Sequence, residues 1–342
     1  MAREFGAECP DNLAASGRFM SLDKKVREIA YSPNPELMAL RPDVSGNDIN
    51  GRGETSVRRP TPVYWQEPET IAHGDMQNWF GQGPLIKEVT DALQRREEIL
   101  NTPLPDKAAI PVEKSAETWA SELRPAALSR DADLVGVARF DNAWSYDRCE
   151  DQTMPWVIML GVEQDYEAML NVPDQLAGAE VLNQYGRALK AARTLAGWIL
   201  EQGYEAVPFG SPSRAKFTMI PPALESGFGE LGKHGSIINR KFGANFRLSA
   251  VLTDMPLVAQ SEDVFGADDF CLNCRVCEKA CPVDAIAADK QHVRGVKRWY
   301  IDFDRCIPFF NEHLGCSICT TICPWSRPGI AQNLAEKYAR RA

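Results

Sequence analysis

Ten cysteines stand in this chain of 342 residues, and eight of them crowd toward its C-terminal end at spacings that suit metal chemistry. Cys271, Cys274, Cys277 and Cys281 follow a C-x2-C-x2-C-x3-C pattern that ends on Pro282. In bacterial ferredoxins such a run gives three thiolates to one [4Fe–4S] cubane and sends the fourth across to another. Cys316, Cys319 and Cys323 repeat the end of the pattern, with Pro324 behind them, and Cys306 upstream supplies the missing thiolate. Two complete sets result. One is Cys271, Cys274 and Cys277 with the crossing Cys323; the other is Cys281, Cys306, Cys316 and Cys319. CxxC pairs also hold zinc, but three cysteines at successive x2 steps followed by x3-CP suit a tetrahedral zinc knuckle poorly. Cys9 and Cys149 are left over as ordinary thiols. Two linked cubanes make an electron relay, and a relay implies a reaction centre at its inner end.

The elements that must position such a centre lie upstream. Residues 1–110 are rich in Pro, Asn, Arg and Gly and read as irregular backbone wrapping over a core. Within them LIKEVTDALQRREEIL shows helical spacing. From about residue 112 the pattern becomes mixed: a helix over 116–132, a strand over 133–139, a second strand over 156–162, and a long amphipathic helix over 177–202. That helix runs into Gly203-Tyr204 and a short strand ending at Pro208; a glycine-rich stretch over 221–235 precedes a strand at Phe246–Thr253. The expected class is α+β, a sandwich followed from near Phe265 by a ferredoxin-like unit that ends about residue 330, with 331–342 as a tail.

The bulk numbers exclude some functions. A formal net charge of -9 with no basic stripe argues against a nucleic-acid binder. No apolar run approaches the roughly 18 residues that cross a bilayer. MAREFGAECPDN shows no apolar stretch behind its basic residue, so no secretory signal is expected, and the cytoplasm is the expected compartment.

The glycine-rich stretch carries a resemblance. Gly227-Phe228-Gly229-Glu230-Leu231-Gly232, then His234-Gly235 and Phe242-Gly243, with Arg247-Leu248 and VLTDMPL behind, resembles the corrinoid-binding core of the reductive dehalogenases. That family continues, as here, with a short acidic linker and two ferredoxin motifs ending in CP-aromatic-Ser, here Cys323 to Ser326. The resemblance runs over roughly residues 112–328. It implies a nitroreductase-like α/β sandwich over 111–264 holding base-off cobalamin, with no histidine marked as lower axial ligand. The missing side chains of Gly227, Gly229, Gly232 and Gly235 would let backbone approach a flat, bulky cofactor, although tight turns alone also need glycine. It further implies two catalytic residues. Tyr185 opens a helix whose downstream pattern, Leu195-Ala196 and Gly203-Tyr204, is in register with the family helix that starts at a proton-donating tyrosine. Arg247 stands where the family places Lys or Arg, ready to stabilise tyrosinate.

Ser211 stands where some dehalogenases place a substrate-side Asn, and Trp144, Tyr146, Trp156, Phe209 and Phe217 are candidates for the pocket wall or simply for the core. The implied substrate is an organohalide, aromatic by preference. The implied partner is a soluble electron donor such as a ferredoxin, flavodoxin or reductase, and a homodimer is compatible. Two alternatives stay open. Epoxyqueuosine reductase shares the cobalamin core, but its acidic donor segment has no Asp counterpart near Phe209-Gly210-Ser211. An iron–sulfur electron-transfer subunit without its own catalytic site is the other, and a leaving group other than halide fits the same chemistry.

Overall fold

The computed structural model describes residues 16–210 and 215–340. Ser211 and Cys9 lie outside the described residues.

Four strands form the central sheet: β1 (Leu134–Arg139), β2 (Trp156–Glu163), β3 (Ala206–Gly210) and, later in the chain, the strand Phe246–Thr253. With the two-residue strands β4 (Glu230–Leu231) and β5 (Ile237–Ile238) counted between them, that last strand is β6. The sheet order is β1-β2-β6-β3, antiparallel throughout, with Ile158 opposite Val251 and Val162 opposite Arg247. Both faces are covered. On one, Ile158, Leu160 and Val251 pack beneath Ala192, Leu195, Ala196 and Ile199 of the helix Gln175–Glu201, with Trp119 and Leu123 of the helix Ala116–Leu128. On the other, Val157, Met159, Ala250 and Leu252 meet Phe209, Phe217, Ala223 and Phe228. Burial on both sides explains why β2 reads as an unbroken apolar run rather than an alternating one. Alanines at 188, 191, 192 and 196 let the long helix lie close on the sheet.

The long helix stops where its sequence says. Gly203 takes φ +88°, its N–H bonds the Leu200 carbonyl, and the Tyr204 N–H reaches back to Ile199. This is the Schellman ending, and it turns the chain into β3.

Mixed helix and sheet is the expected class, but several boundaries differ. The helix expected to reach residue 132 stops at Leu128, and the chain turns out of helical backbone at Asp131, which takes φ +70°. β3 runs on past Pro208 to Gly210: that proline still pairs opposite Val251, and it lies on the edge strand, where a missing donor is tolerated. The stretch 221–235 is structured. The helix Ile220–Glu225 starts on two prolines, and β4 and β5 form a small hairpin. Tyr185 lies in the third turn of the long helix, not at its start, since the helix begins ten residues earlier at Gln175.

Residues from 16 onward carry helices at Ser16–Arg27, Pro35–Ala39, Gly46–Ile49, Gly74–Trp79 and Lys87–Asn101. They wrap over the cysteine-rich part. Leu22 and Val26 pack with Phe309, Ile318 and Ile322. Asn47 donates to Asp302 at 2.9 Å and Asp304 at 2.8 Å, and Tyr31 donates to Glu312 at 2.7 Å. The Gly53 N–H reaches the His292 carbonyl on the hairpin β7 (Gln291–Val293) and β8 (Val296–Arg298).

Candidate redox site

Each cysteine of the C-terminal part is placed by a short helix or its end. Ala267–Asn273 carries Cys271 and Val276–Ala280 carries Cys277, while Cys274 and Cys281 stand in extended backbone at the two C-caps. Phe303–Glu312 carries Cys306, Ile318–Thr321 carries Cys319, and Cys323 leads into the turn Pro324–Ser326. Cys316 lies in four successive residues with positive φ: Leu314 (+47°), Gly315 (+103°), Cys316 (+51°) and Ser317 (+60°). Three of these carry side chains, and such backbone costs roughly 1 kcal/mol or more per residue unless its surroundings hold it.

Burial, the leading cause in each case, pushes Cys271, Cys306 and Cys319 up to about 12, and raises Cys274, Cys277, Cys316 and Cys323 as well. Neighbouring thiols add to it, and they sort the cysteines. Cys323 feels Cys271, Cys277 and Cys274. Cys316 and Cys319 feel one another's set, Cys306 and Cys281. Cys277 feels Cys319 across the gap between the two sets. Backbone N–H groups point at the sulfurs: Lys233 to Cys271 at 3.4 Å and Ala285 to Cys281 at 3.3 Å, with Val276, Ile318, Thr320 and Trp325 serving Cys274, Cys316, Cys319 and Cys323. Thiols buried this deeply keep their protons when alone; bound cations reverse that order. Among the described residues no three His, Cys, Asp or Glu meet the geometry of a single-ion site. Cys149, outside these sets, is half-buried.

A cavity of about 510 Å³ opens beside this unit. Tyr185 from the long helix and Phe246, Arg247 and Leu248 from β6 form one wall. The Arg247 guanidinium lies over the Tyr185 ring, 5.5 Å from its centroid. Its remaining contacts are weak: the Phe246 carbonyl at 3.2 Å, the Ser317 hydroxyl at 3.4 Å, and no acceptor for the buried Nε–H. Glu180, five residues before Tyr185 on the same helix, is buried, and burial pushes its carboxyl up against the lowering effect of hydrogen bonds from the Asp165 N–H and Gln184 and, least, of Arg247. It accepts from the Asp165 N–H at 2.7 Å and Gln184 at 2.9 Å.

Tyr146 and Phe217 line the cavity, as do Leu231 and Gly235. Phe209 stands behind Phe217, ring centroids 5.3 Å apart, while Trp144 packs on Phe140 and Trp156 under Arg139, away from the cavity. Gly227 and Phe228 border a different depression, formed with residues 259–263. The glycines of this stretch are accounted for by packing. A Cβ on Gly229 would lie 2.0 Å from the Ile238 carbonyl oxygen, at a φ of +123°. A Cβ on Gly232 would strike the His234 ring and Ile238. Glu230 binds the start of the Cys271 helix, accepting from the N–H groups of Phe265 (2.7 Å), Ala267 (2.9 Å) and Asp268 (3.2 Å). His234 is buried; its Nδ1 accepts from the Ser236 N–H, its Nε2 has no partner, and burial pushes it down to about 4.

Several lining residues were not anticipated. Asn50, Tyr64 and Trp65 close the cavity from the N-terminal wrap, and Arg294, Arg298, Trp299, Tyr300 and Ile301 from the stretch between Cys281 and Cys306. The pattern HVRGVKR, apolar and basic residues flanking a glycine, is a hairpin signal that marks the two arginines. Burial holds both below the usual arginine range, and the Arg298 Nε–H is buried without an acceptor. Among the described residues no cysteine lines the cavity itself, but Tyr185 and Ile301 border the same hydrophobic cluster as Cys281, Cys316 and Cys319, and Trp299 shares a buried cluster with Cys271 and Cys323.

Residues 270–326 match the family described as a 4Fe-4S dicluster domain. A tetrachloroethene reductive dehalogenase of Desulfitobacterium hafniense is 26% identical over 273 residues, 63% of this chain and 49% of that protein. An epoxyqueuosine reductase of Leadbetterella byssophila is 30% identical over 133 residues, 34% of this chain and 39% of that protein. Among solved structures, the catabolic reductive dehalogenase NpRdhA in complex with 3-bromo-4-hydroxybenzoic acid superposes with a TM-score of 0.70 at 19% identity, over 93% of this chain and 49% of that one. The chain thus spans about half the length of the curated dehalogenases it matches. It is a homologue of the reductive dehalogenases, built on their fold with a 4Fe-4S dicluster domain, and epoxyqueuosine reductase is a further relative.

Proposed function

We propose that this chain is a cobalamin- and iron–sulfur-dependent reductive dehalogenase that exchanges a halogen on an organohalide for hydrogen. The observation that carries the reading is Arg247 lying over Tyr185 in a cavity whose wall residues share hydrophobic clusters with both sets of thiols. In this reading Cys271, Cys274, Cys277 and Cys323 hold one [4Fe–4S] cluster, and Cys281, Cys306, Cys316 and Cys319 the other. The N–H groups aimed at the sulfurs and the held left-handed turn at Cys316 suit thiolates on iron. Base-off cobalamin would fit the cavity: Tyr64, Trp65, Tyr146, Phe217 and Trp299 would pack against a flat macrocycle, and the guanidinium groups of Arg247, Arg294 and Arg298 would meet polar or anionic edges. Bound there, it would supply the low-potential centre at which the carbon–halogen bond breaks.

The overall change consumes two electrons and one proton, releasing halide and forming a carbon–hydrogen bond. When bound by the eight cysteine thiolates, the clusters would supply a relay for single electrons from a soluble donor. Tyr185 gives the proton from its phenol oxygen, and Arg247 steadies the oxyanion that remains. Glu180 balances the guanidinium while the phenol is neutral. The ring walls (Tyr64, Trp65, Tyr146 and Phe217) and the three arginines favour an aromatic halide bearing an anionic group. The bromohydroxybenzoate held by one solved relative belongs to that class. Residues 111–264 act as the cobalamin-binding, nitroreductase-like core, residues 265–330 as the relay, and the N-terminal wrap as the closing wall.

Anaerobic incubation of reconstituted protein with a strong reductant and a halogenated phenol tests this, read as halide by ion chromatography. One halide per dehalogenated phenol, dependent on cobalamin, is expected. Protein loaded with iron and cobalamin that releases no halide from any organohalide tried would overturn the reading.

A further inference from the structure

Lys233 is a buried lysine that the proposed reaction does not use. It stands in the turn between β4 and β5, only 2% exposed. Its backbone N–H donates to the Cys271 sulfur at 3.4 Å. Its ammonium lies 5.1 Å over the Trp299 ring and 3.8 Å from the Glu278 carboxylate, on the helix that carries Cys277. That carboxylate is already shared with Arg275, which holds it below the usual range. Trp299 beneath the ammonium shares a buried cluster with Cys271 and Cys323, so the lysine's contacts lie on the elements that hold the first set.

Burying an ammonium costs several kcal/mol unless negative charge meets it, and a half-shared carboxylate at 3.8 Å meets it poorly. An apolar side chain of similar length would fill the space at lower cost. The position makes sense when the four thiolates of the first set are present as an anionic cluster, because the lysine then faces charge on two sides. A cluster gains one negative charge on reduction, so a fixed cation beside it favours the reduced form.

We propose that Lys233 is a positioning residue for electrons: it raises the reduction potential of the cluster held by Cys271, Cys274, Cys277 and Cys323, and leaves the other cluster unchanged. The inference rests on the iron–sulfur reading above. The two clusters then differ in potential by design of the β4–β5 turn, which also fixes the Cys271 helix through Glu230. Trp299, beneath the ammonium, lines the cavity, so the tuned cluster is one that borders the reaction space.

The test is an EPR-monitored redox titration of the reconstituted full chain, wild type beside Lys233→Gln, Lys233→Arg and Glu278→Gln, with iron content measured for each. Lys233→Gln should disfavour reduction of one cluster at least tenfold, which for a one-electron couple is about 59 mV. The second cluster should stay put. Lys233→Arg should restore the wild-type value, and Glu278→Gln should move the same cluster the opposite way. Full iron content with neither potential moved in Lys233→Gln overturns the inference, as does an equal shift of both clusters. Should Lys233→Gln fail to load iron, Glu278→Gln decides: a one-cluster upward shift supports the role and no shift refutes it. Wild-type protein that takes up no iron refutes the iron–sulfur reading instead.

Discussion

At the scale of single residues, the proposed reaction centre rests on two side chains 62 positions apart in sequence, the Arg247 guanidinium lying 5.5 Å from the Tyr185 ring centroid. Tyr185→Phe should lower the rate of halide release by about 10²–10⁴-fold, the usual worth of a placed proton donor, with iron and corrinoid content unchanged. Arg247→Gln should fall in the same range, and Arg247→Lys should recover most of it; a Tyr185→Phe variant of near-normal rate would remove tyrosine from the role. His234 makes a different prediction, on stability. Burial holds it at about 4, below the ordinary 6.5, so the unfolded chain takes up the proton first. The stability that its neutral form contributes is whole above pH 6.5, and is lost as pH falls from there toward 4, by roughly 3 kcal/mol in all. Urea unfolding between pH 7.5 and 5 should show this slope, and His234→Leu should flatten it. The cysteines were legible because each run ending in Cys-Pro sets three or four of them at short fixed spacings, from which the crossing of Cys323 and Cys281 to the other set follows by the ferredoxin pattern. Arg294 and Arg298 were not, because they reach the cavity only through a hairpin clipped to Gly51 and Gly53 of the N-terminal wrap.

Elements show the same division. Helix 175–201 and strand Phe246–Thr253 announce themselves by periodicity and length, and β2 by an apolar run. β4 and β5 have two residues each, too few for any period, so the stretch reads as a loop although it grips the Cys271 helix. What the glycines signal there is close packing: Gly229 accommodates the Ile238 carbonyl, and Gly232 the His234 ring. The helix that presents Tyr185 is held by its buried face. Leu195→Ala leaves a hole under the sheet and should cost about 2–5 kcal/mol, measured as a lower denaturant midpoint at unchanged slope. A loss under 1 kcal/mol would mean that this face does not anchor the helix.

Across the whole molecule, three stretches remote in sequence enclose one space: the N-terminal wrap, the sheet with its long helix, and the stretch 293–301 between the two cysteine runs. The wrap was the least legible part, since its short helices owe their place to Asp302, Asp304 and Glu312 rather than to any pattern of their own. Trp65, which meets Tyr64 and Phe80 edge to face at 4.9 Å each, brings an indole to the cavity wall. Trp65→Ala should raise KM for an aromatic halide by about 10–200-fold, the worth of a contact of 1–3 kcal/mol, with iron content preserved.

The most direct test of the account is an inventory of iron and cobalt in protein reconstituted anaerobically with iron, sulfide and cobalamin, read together with its EPR spectrum. The account predicts about eight irons and one cobalt per chain, as befits two four-iron clusters and one corrinoid, with the cobalt signal of a base-off state. Iron at that level with cobalt never retained would contradict it, leaving an iron–sulfur electron carrier with no reaction centre of its own.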